Sequence, residues 1–177
     1  QESWTGNIDS FLLNCQITLT ISSPTDNNIL RCYELLQRTN QLNSSGRRLS
    51  MEELRDIVGS PDYNCYVMES SDKFGSYGIV GFMIVKVSDT PCITDFVISC
   101  RVANKKIEPT LVNYLANKYG GMIGFNFKKT KLNGPMKKVI DELKMDKIDE
   151  YGEMELYCHT FDASYPHIVT LTDKTND

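Results

Sequence analysis

Residues 92–115 read CITDFVISCRVANKKIEPTLVNYL, and the change of pattern inside this stretch sets the architecture. Up to Cys100 the chain is rich in β-branched and aromatic residues, and alternation puts Phe96, Ile98 and Cys100 on one side, as in a strand with a buried face. From Ile107 onward Leu111, Tyr114 and Leu115 recur at helical spacing. Pro109 falls in the first turn of that helix, where its missing N–H removes no bond. Between strand and helix lies a basic loop, Arg101-Val102-Ala103-Asn104-Lys105-Lys106.

The same reading extends in both directions. Downstream, Gly120 and Gly121 end the helix, Met122 to Phe127 is a strand, Pro135 opens a helix carrying Met136, Val139, Ile140 and Leu143, and Glu153 to Phe161 is the last predicted strand. Residues 163–177, rich in Thr and Asp, read as a tail. Upstream, Tyr63 to Glu69 and Tyr77 to Val87 form a hairpin about the turn at 71–75. Ser50 with Glu53 is a capping box that starts a helix closed by Gly59. Ile29, Cys32, Tyr33 and Leu36 mark an earlier helix, and Gln16 to Ser22 alternates as a half-buried strand. Residues 1–14 read as a linker ending in an apolar docking element, Ile8, Phe11, Leu12 and Leu13. The order is strand, two helices, hairpin, strand, helix, strand, helix, strand. It predicts an α+β domain over residues 15–162, with a mixed, mostly antiparallel central sheet and helices on both faces.

Composition agrees with one domain. The chain has 177 residues, 41% apolar, enough for one core and too few for two. No apolar run is long enough to cross a bilayer and nothing reads as a signal peptide, while the first residue, Gln1, suits a piece of a longer polypeptide. Six dispersed cysteines with no CxxC pair and only two histidines give no zinc spacing, so no metal is expected and the cysteines read as reduced thiols of a cytoplasmic protein. The net charge of -4 argues against a nucleic-acid binder. Its distribution is uneven: residues 101–147 carry +7 and the rest −11, which suits an acidic or phosphate-bearing partner or, alternatively, only solvates helix faces.

The element order is that of the GNAT acyltransferase superfamily, and three local blocks are more specific. Arg38-Thr39-Asn40-Gln41-Leu42-Asn43 with Arg47-Arg48, then Phe74-Gly75-Ser76-Tyr77-Gly78-Ile79-Val80-Gly81, then Ile98-Ser99-Cys100-Arg101-Val102 resemble the C-terminal GNAT-like domain of FkbH-like proteins. The resemblance covers roughly residues 8–145. It implies an acyltransferase domain that works beside a HAD-type phosphatase domain on the same full-length chain. That family moves a glyceryl-type acyl group, of the kind used in methoxymalonyl biosynthesis, onto the phosphopantetheine thiol of an acyl carrier protein. Cys100 matches the family cysteine, and the resemblance makes it the catalytic, thioester-forming residue, reached by a pantetheine arm through splayed strands. Read by itself, a strand-end cysteine is a small buried hydrophobe.

The superfamily binds its donor with a Gln/Arg-x-x-Gly-x-Gly/Ala run. Here that place is held by Arg101, Val102, Ala103, Asn104, Lys105 and Lys106, without glycine, so coenzyme A is disfavoured and the single phosphodiester of a carrier-protein arm is preferred. Asn133, in Thr130-x-x-Asn133-x-Pro135, resembles the residue that holds the cofactor arm, or is simply a helix cap. Thr39, Asn40, Gln41, Asn43, Arg47 and Arg48, with Tyr77 of the second block, are the expected substrate residues: amides for a hydroxylated acyl group, arginines for a carboxylate or phosphate. Two alternatives remain open, a coenzyme A-dependent GNAT N- or O-acyltransferase of polysaccharide biosynthesis and a non-catalytic carrier-protein docking module.

Overall fold

The elements in chain order are α1 (Glu2–Asn14), β1 (Thr18–Ser22), α2 (Ile29–Arg38), α3 (Met51–Val58), β2 (Tyr63–Asp72), β3 (Gly75–Lys86), β4 (Cys92–Ile98), a 3-10 turn (Cys100–Val102), α4 (Ile107–Lys118), β5 (Met122–Lys128), α5 (Gly134–Glu142), β6 (Asp146–Tyr151), β7 (Met154–Thr160) and β8 (Thr170–Asp173). The computed structural model describes residues 2–175, with side chains from residue 7 on. Gln1 of the expected linker and Asn176 and Asp177 of the expected tail lie outside the described residues.

The strands form one sheet in the order β6-β7-β5-β4-β3-β2-β1-β8. Only the β1–β8 and β4–β5 pairs are parallel, so the sheet is mixed and mostly antiparallel, as expected. Strand alternation divides its apolar side chains between two faces. On one, Phe96, Ile98, Phe125 and Phe127 pack with Leu12 of α1, Leu111 and Leu115 of α4 and Met136 and Ile140 of α5. On the other, Val67, Phe82, Ile84 and Val97 pack under Cys32, Leu35 and Leu36 of α2 and Leu54 of α3. Burial of each such side chain contributes roughly 2 kcal/mol. The capping box of α3 is present, with Ser50 and Glu53 exchanging side-chain and backbone bonds.

β4 and β5 pair only at their first residues, Cys92 with Gly124 and Ile93 with Phe125, and then part. The close end depends on glycine, since a Cβ at Gly124 would stand 3.1 Å from Cys92 Sγ. A register shift in β4 opposite Ile84 and Val85 bends the strand where the two diverge.

Three local expectations change. The strand before the basic loop ends at Ile98 rather than Cys100, because Ser99 Oγ accepts from the Arg101 amide and starts the 3-10 turn. The segment after residue 162 adds β8, four residues paired with β1, and β6 adds another edge. The leading segment is the helix α1, whose Leu12 is buried while Ile8, Phe11 and Leu13 are 47%, 64% and 53% exposed. Among the described residues, no helix is long and apolar enough to cross a membrane.

Candidate functional site

The gap between the parted ends of β4 and β5 is filled by the chain itself. Residues 42–45, after α2, enter it as a short extra strand. The Ser44 amide donates to Phe96 O at 3.0 Å, the Ile98 amide to Leu42 O at 3.0 Å, and the Lys128 amide to Ser44 O at 2.9 Å. The Phe96 amide donates to Ser44 Oγ at 2.9 Å. Asn133, fully buried, donates through Nδ2 to Asn43 O at 3.0 Å and Lys128 O at 2.8 Å, and its Oδ1 accepts from the Thr130 amide at 2.8 Å. The polar groups that two separating strands would leave bare are thus satisfied internally.

The remainder of the loop is fixed on the α2 side of the sheet. Asp95, 1% exposed, accepts from Ser45 Oγ at 2.7 Å, Arg47 Nε at 3.1 Å, Arg47 Nη2 and Thr94 Oγ1 at 2.9 Å. Arg48 donates to Leu36 O and Thr39 O at the end of α2, and to Asn40 Oδ1 at 2.6 Å. Four residues expected to face substrate or arm, Asn43, Arg47, Arg48 and Asn133, are therefore engaged in holding this segment. The expected path for an arm between the strands is occupied by Leu42, Asn43 and Ser44.

Cys100 lies just beyond this plug, and its thiol is open to solvent. It lines a recess of about 340 Å³ with Arg31, Leu35, Arg38, Thr39, Asn40, Gln41 and Ser99. Cys100 Sγ donates to Gln41 Oε1 at 3.6 Å. Arg31 is partly occupied by Glu34, at 3.6 Å, and by Ile79 O. Arg38 pairs with no other described residue. Cys100 is the exposed cysteine among the six, whereas burial pushes the thiols of Cys32 and Cys65 up to about 12. The recess brings Thr39, Asn40 and Gln41 beside Cys100. It adds Arg31 and Arg38, whose signal was their seven-residue spacing on one face of α2.

The basic loop is likewise braced from within. Arg101 Nη2 donates to Tyr77 O at 3.1 Å, Val102 is buried in the core, and Ala103 packs against it. Lys105 Nζ reaches Asp72 Oδ2 at 3.0 Å and Tyr77 Oη at 2.7 Å, and Tyr77 Oη donates to Asp72 at 2.8 Å. Burial pushes the Asp72 carboxyl up, but the bonds from Lys105, Tyr77 and the Phe74 amide outweigh it and hold it below the usual carboxylate range. Asn104 and Lys106 adopt φ of 63° and 64°, so this glycine-free run takes the left-handed backbone at the two positions that correspond to Gly and Gly/Ala of the donor run. Lys106 forms an ion pair with Glu142.

A second recess, of about 450 Å³, opens between α4 and α5 and is lined by Gln41, Leu42, Ala103, Asn104, Lys106, Glu108, Lys138 and Glu142 among others. Gln41 lines both recesses and stands between them. Glu108, 4% exposed, faces the second; burial pushes its carboxyl up to about 7, and Glu142 adds to the rise. Lys106 is paired with Glu142, and Lys138 has no partner among the described residues. His159, buried against Asn113 Oδ1 at 2.9 Å, is held below its ordinary value by burial and belongs to the packing of α4 on β7.

No protein-family model matches the chain, and no curated protein matches its sequence. Its fold is shared by solved structures. A domain from Methanocaldococcus jannaschii aligns with a TM-score of 0.62 at 15% identity, covering 81% of this chain and 99% of that one. The ribosomal-protein-S18-alanine N-acetyltransferase of Escherichia coli aligns with a TM-score of 0.60 at 10% identity, covering 85% and 98%. An aminoglycoside acetyltransferase in complex with coenzyme A aligns with a TM-score of 0.58 at 12% identity, covering 81% and 95%. With this strand order, the parting of β4 from β5 and helices on both faces, the chain has the GNAT acetyltransferase fold.

Proposed function

We propose that this chain is an acyltransferase domain that carries an acyl group as a thioester on Cys100 and exchanges it with a phosphopantetheine thiol. The observation that carries the reading is the exposed Cys100 thiol in a recess lined by Arg31, Arg38, Asn40 and Gln41. Solved structures of this fold include an aminoglycoside acetyltransferase in complex with coenzyme A or acetyl-coenzyme A, which supports acyl transfer as the general activity. In the exchange, Cys100 Sγ attacks the acyl carbonyl, its bond to the arm's sulfur breaks, and the arm leaves as a free thiol. One thioester replaces another, so the step is close to neutral and reversible. Arg38 and Arg31 stand where they can hold a carboxylate or phosphate on the acyl group.

A carrier-protein arm suits the second recess better than coenzyme A does. One phosphate matches Lys138, the cation there without a described partner, since Lys106 is already paired with Glu142. The FkbH-type assignment, with a glyceryl-type acyl group and a neighbouring HAD-type phosphatase domain, belongs to this proposal and rests on the three sequence blocks. A second reading, a non-catalytic carrier-docking module, is favoured by the filled gap between β4 and β5. Mass spectrometry after mixing the chain with glyceryl-loaded carrier protein separates them. The acyltransferase reading expects an acyl adduct on wild type and none on Cys100→Ala. An absent adduct, or an equal one on both, overturns it, and carrier binding without an adduct leaves the docking module.

A further inference from the structure

The α2–α3 layer packs on β2, β3 and β4, and the same face of β5, β7 and β6 carries a separate trough of about 640 Å³. Its floor is set by register. Cys92 of β4, Gly124 of β5 and Cys158 of β7 lie side by side, and the missing side chain at Gly124 opens the middle. Leu156, Ile148 and Met122 form apolar walls, the last two 59% and 56% exposed. Tyr151, 62% exposed, lines it too, as does Asp149, which accepts from the Glu150 amide at 2.7 Å and is held below its ordinary value by Tyr151 and that amide. Asp89 is the other charged residue of the lining, which holds no lysine or arginine.

We propose that this trough binds a small organic cation with an apolar body, such as an aryl or alkyl ammonium. The floor and walls remove apolar surface from water, and two carboxylates with no counter-cation in the lining prefer a positive head group beside the Tyr151 ring. The volume fits a small molecule. The β6 edge beside the trough carries Asp146, Asp149 and Glu150 against one lysine, Lys147, which is paired with Glu150, so the edge is net acidic and suits a cationic occupant.

The test is a titration of the full chain with benzyltrimethylammonium, followed by amide chemical shifts, with phenylacetate as the anion of similar body. Saturable shifts are expected at Gly124, Cys158 and Tyr151, with a Kd on the order of 1 mM. Asp149→Asn and Tyr151→Ala, both at exposed positions of an edge strand, each weaken binding about three- to tenfold, with the spectrum of each free variant reporting that it is folded. Phenylacetate binds at least about tenfold more weakly. Equal binding of the anion, unchanged binding to Asp149→Asn, or no saturable shift at these residues up to roughly 20 mM overturns the proposal.

Discussion

Replacing Asn133 with alanine tests whether the segment 42–45 is a fixed part of the sheet. Asn133 is fully buried, and its side chain closes three bonds: two donated, to Asn43 O and Lys128 O, and one accepted, from the Thr130 amide. Leaving a buried polar group without its partner costs about 1–3 kcal/mol, and three backbone groups lose a bond at once, so Asn133→Ala should lose about 2–4 kcal/mol in urea denaturation. Asn133→Asp should lose at least as much at neutral pH, because it turns a second oxygen toward the same two carbonyls. Hydrogen exchange gives the local readout. In wild type the amides of Ser44, Ile98 and Lys128, which form the ladder through the segment, should be protected like the rest of the sheet. In Asn133→Ala they should exchange about 30-fold to 1,000-fold faster, the same energy at 1.4 kcal/mol per decade. Wild-type amides at near-unprotected rates would show that the gap is open in solution, and a loss below about 0.5 kcal/mol would show that Asn133 does not clamp it.

Two further outcomes follow from buried charge. Because the native pKa of Glu108 is raised to about 7, above its unfolded value, its contribution to stability is present below the ordinary carboxylate range and is lost as pH rises through 7. Glu108→Gln should therefore stabilise the chain by about 1–3 kcal/mol at pH 8 and by little at pH 4, in paired urea melts; a gain independent of pH would refute the assignment. Asp72 is shifted the other way, so its contribution is present above the ordinary carboxylate range and is lost as pH falls below it. Asp72→Asn should cost about 1 kcal/mol at pH 7, with the difference shrinking in acid, because the Lys105 ammonium loses its partner.

The fold was legible wherever apolar periodicity was strong. The β3 stretch from Tyr77 and the α4 pattern of Ile107, Leu111 and Leu115 lie where expected, because each buries a full face. β6 was missed because all six of its residues are exposed and four are charged, so it leaves no apolar alternation. β8 was missed because it is four residues long and is stabilised by pairing with β1, a contact remote in sequence. In the site, Cys100, Thr39, Asn40 and Gln41 were readable from local blocks and do come together. What sequence could not weigh is competition for partners. Arg47, Arg48, Asn133, Lys105 and Lys106 have the chemistry of ligand-binding residues, and the fold gives each an internal partner first. Asp95 carried the neglected signal: a carboxylate inside an apolar strand needs buried donors, and Ser45 and Arg47 supply them.

That competition also bears on the proposed acyl transfer. Clearing the gap between β4 and β5 would expose Leu42, at about 2 kcal/mol, and break the backbone bonds of Ser44, Ile98 and Lys128, at about 1 kcal/mol each. An incoming arm could restore ladder bonds to β4, but it would return neither the burial of Leu42 nor the contacts of Ser45 and Arg47 with Asp95. A thiol just past the end of β4 requires none of this disruption. Cys100 is reached from solvent on the α2 side, and Gln41, itself exposed, is the side chain that divides that recess from the one between α4 and α5. Gln41 is a single surface side chain, whereas withdrawal of the plug dismantles a buried network. Residues 42–45 seal the slot between β4 and β5, and Cys100 lies outside the seal.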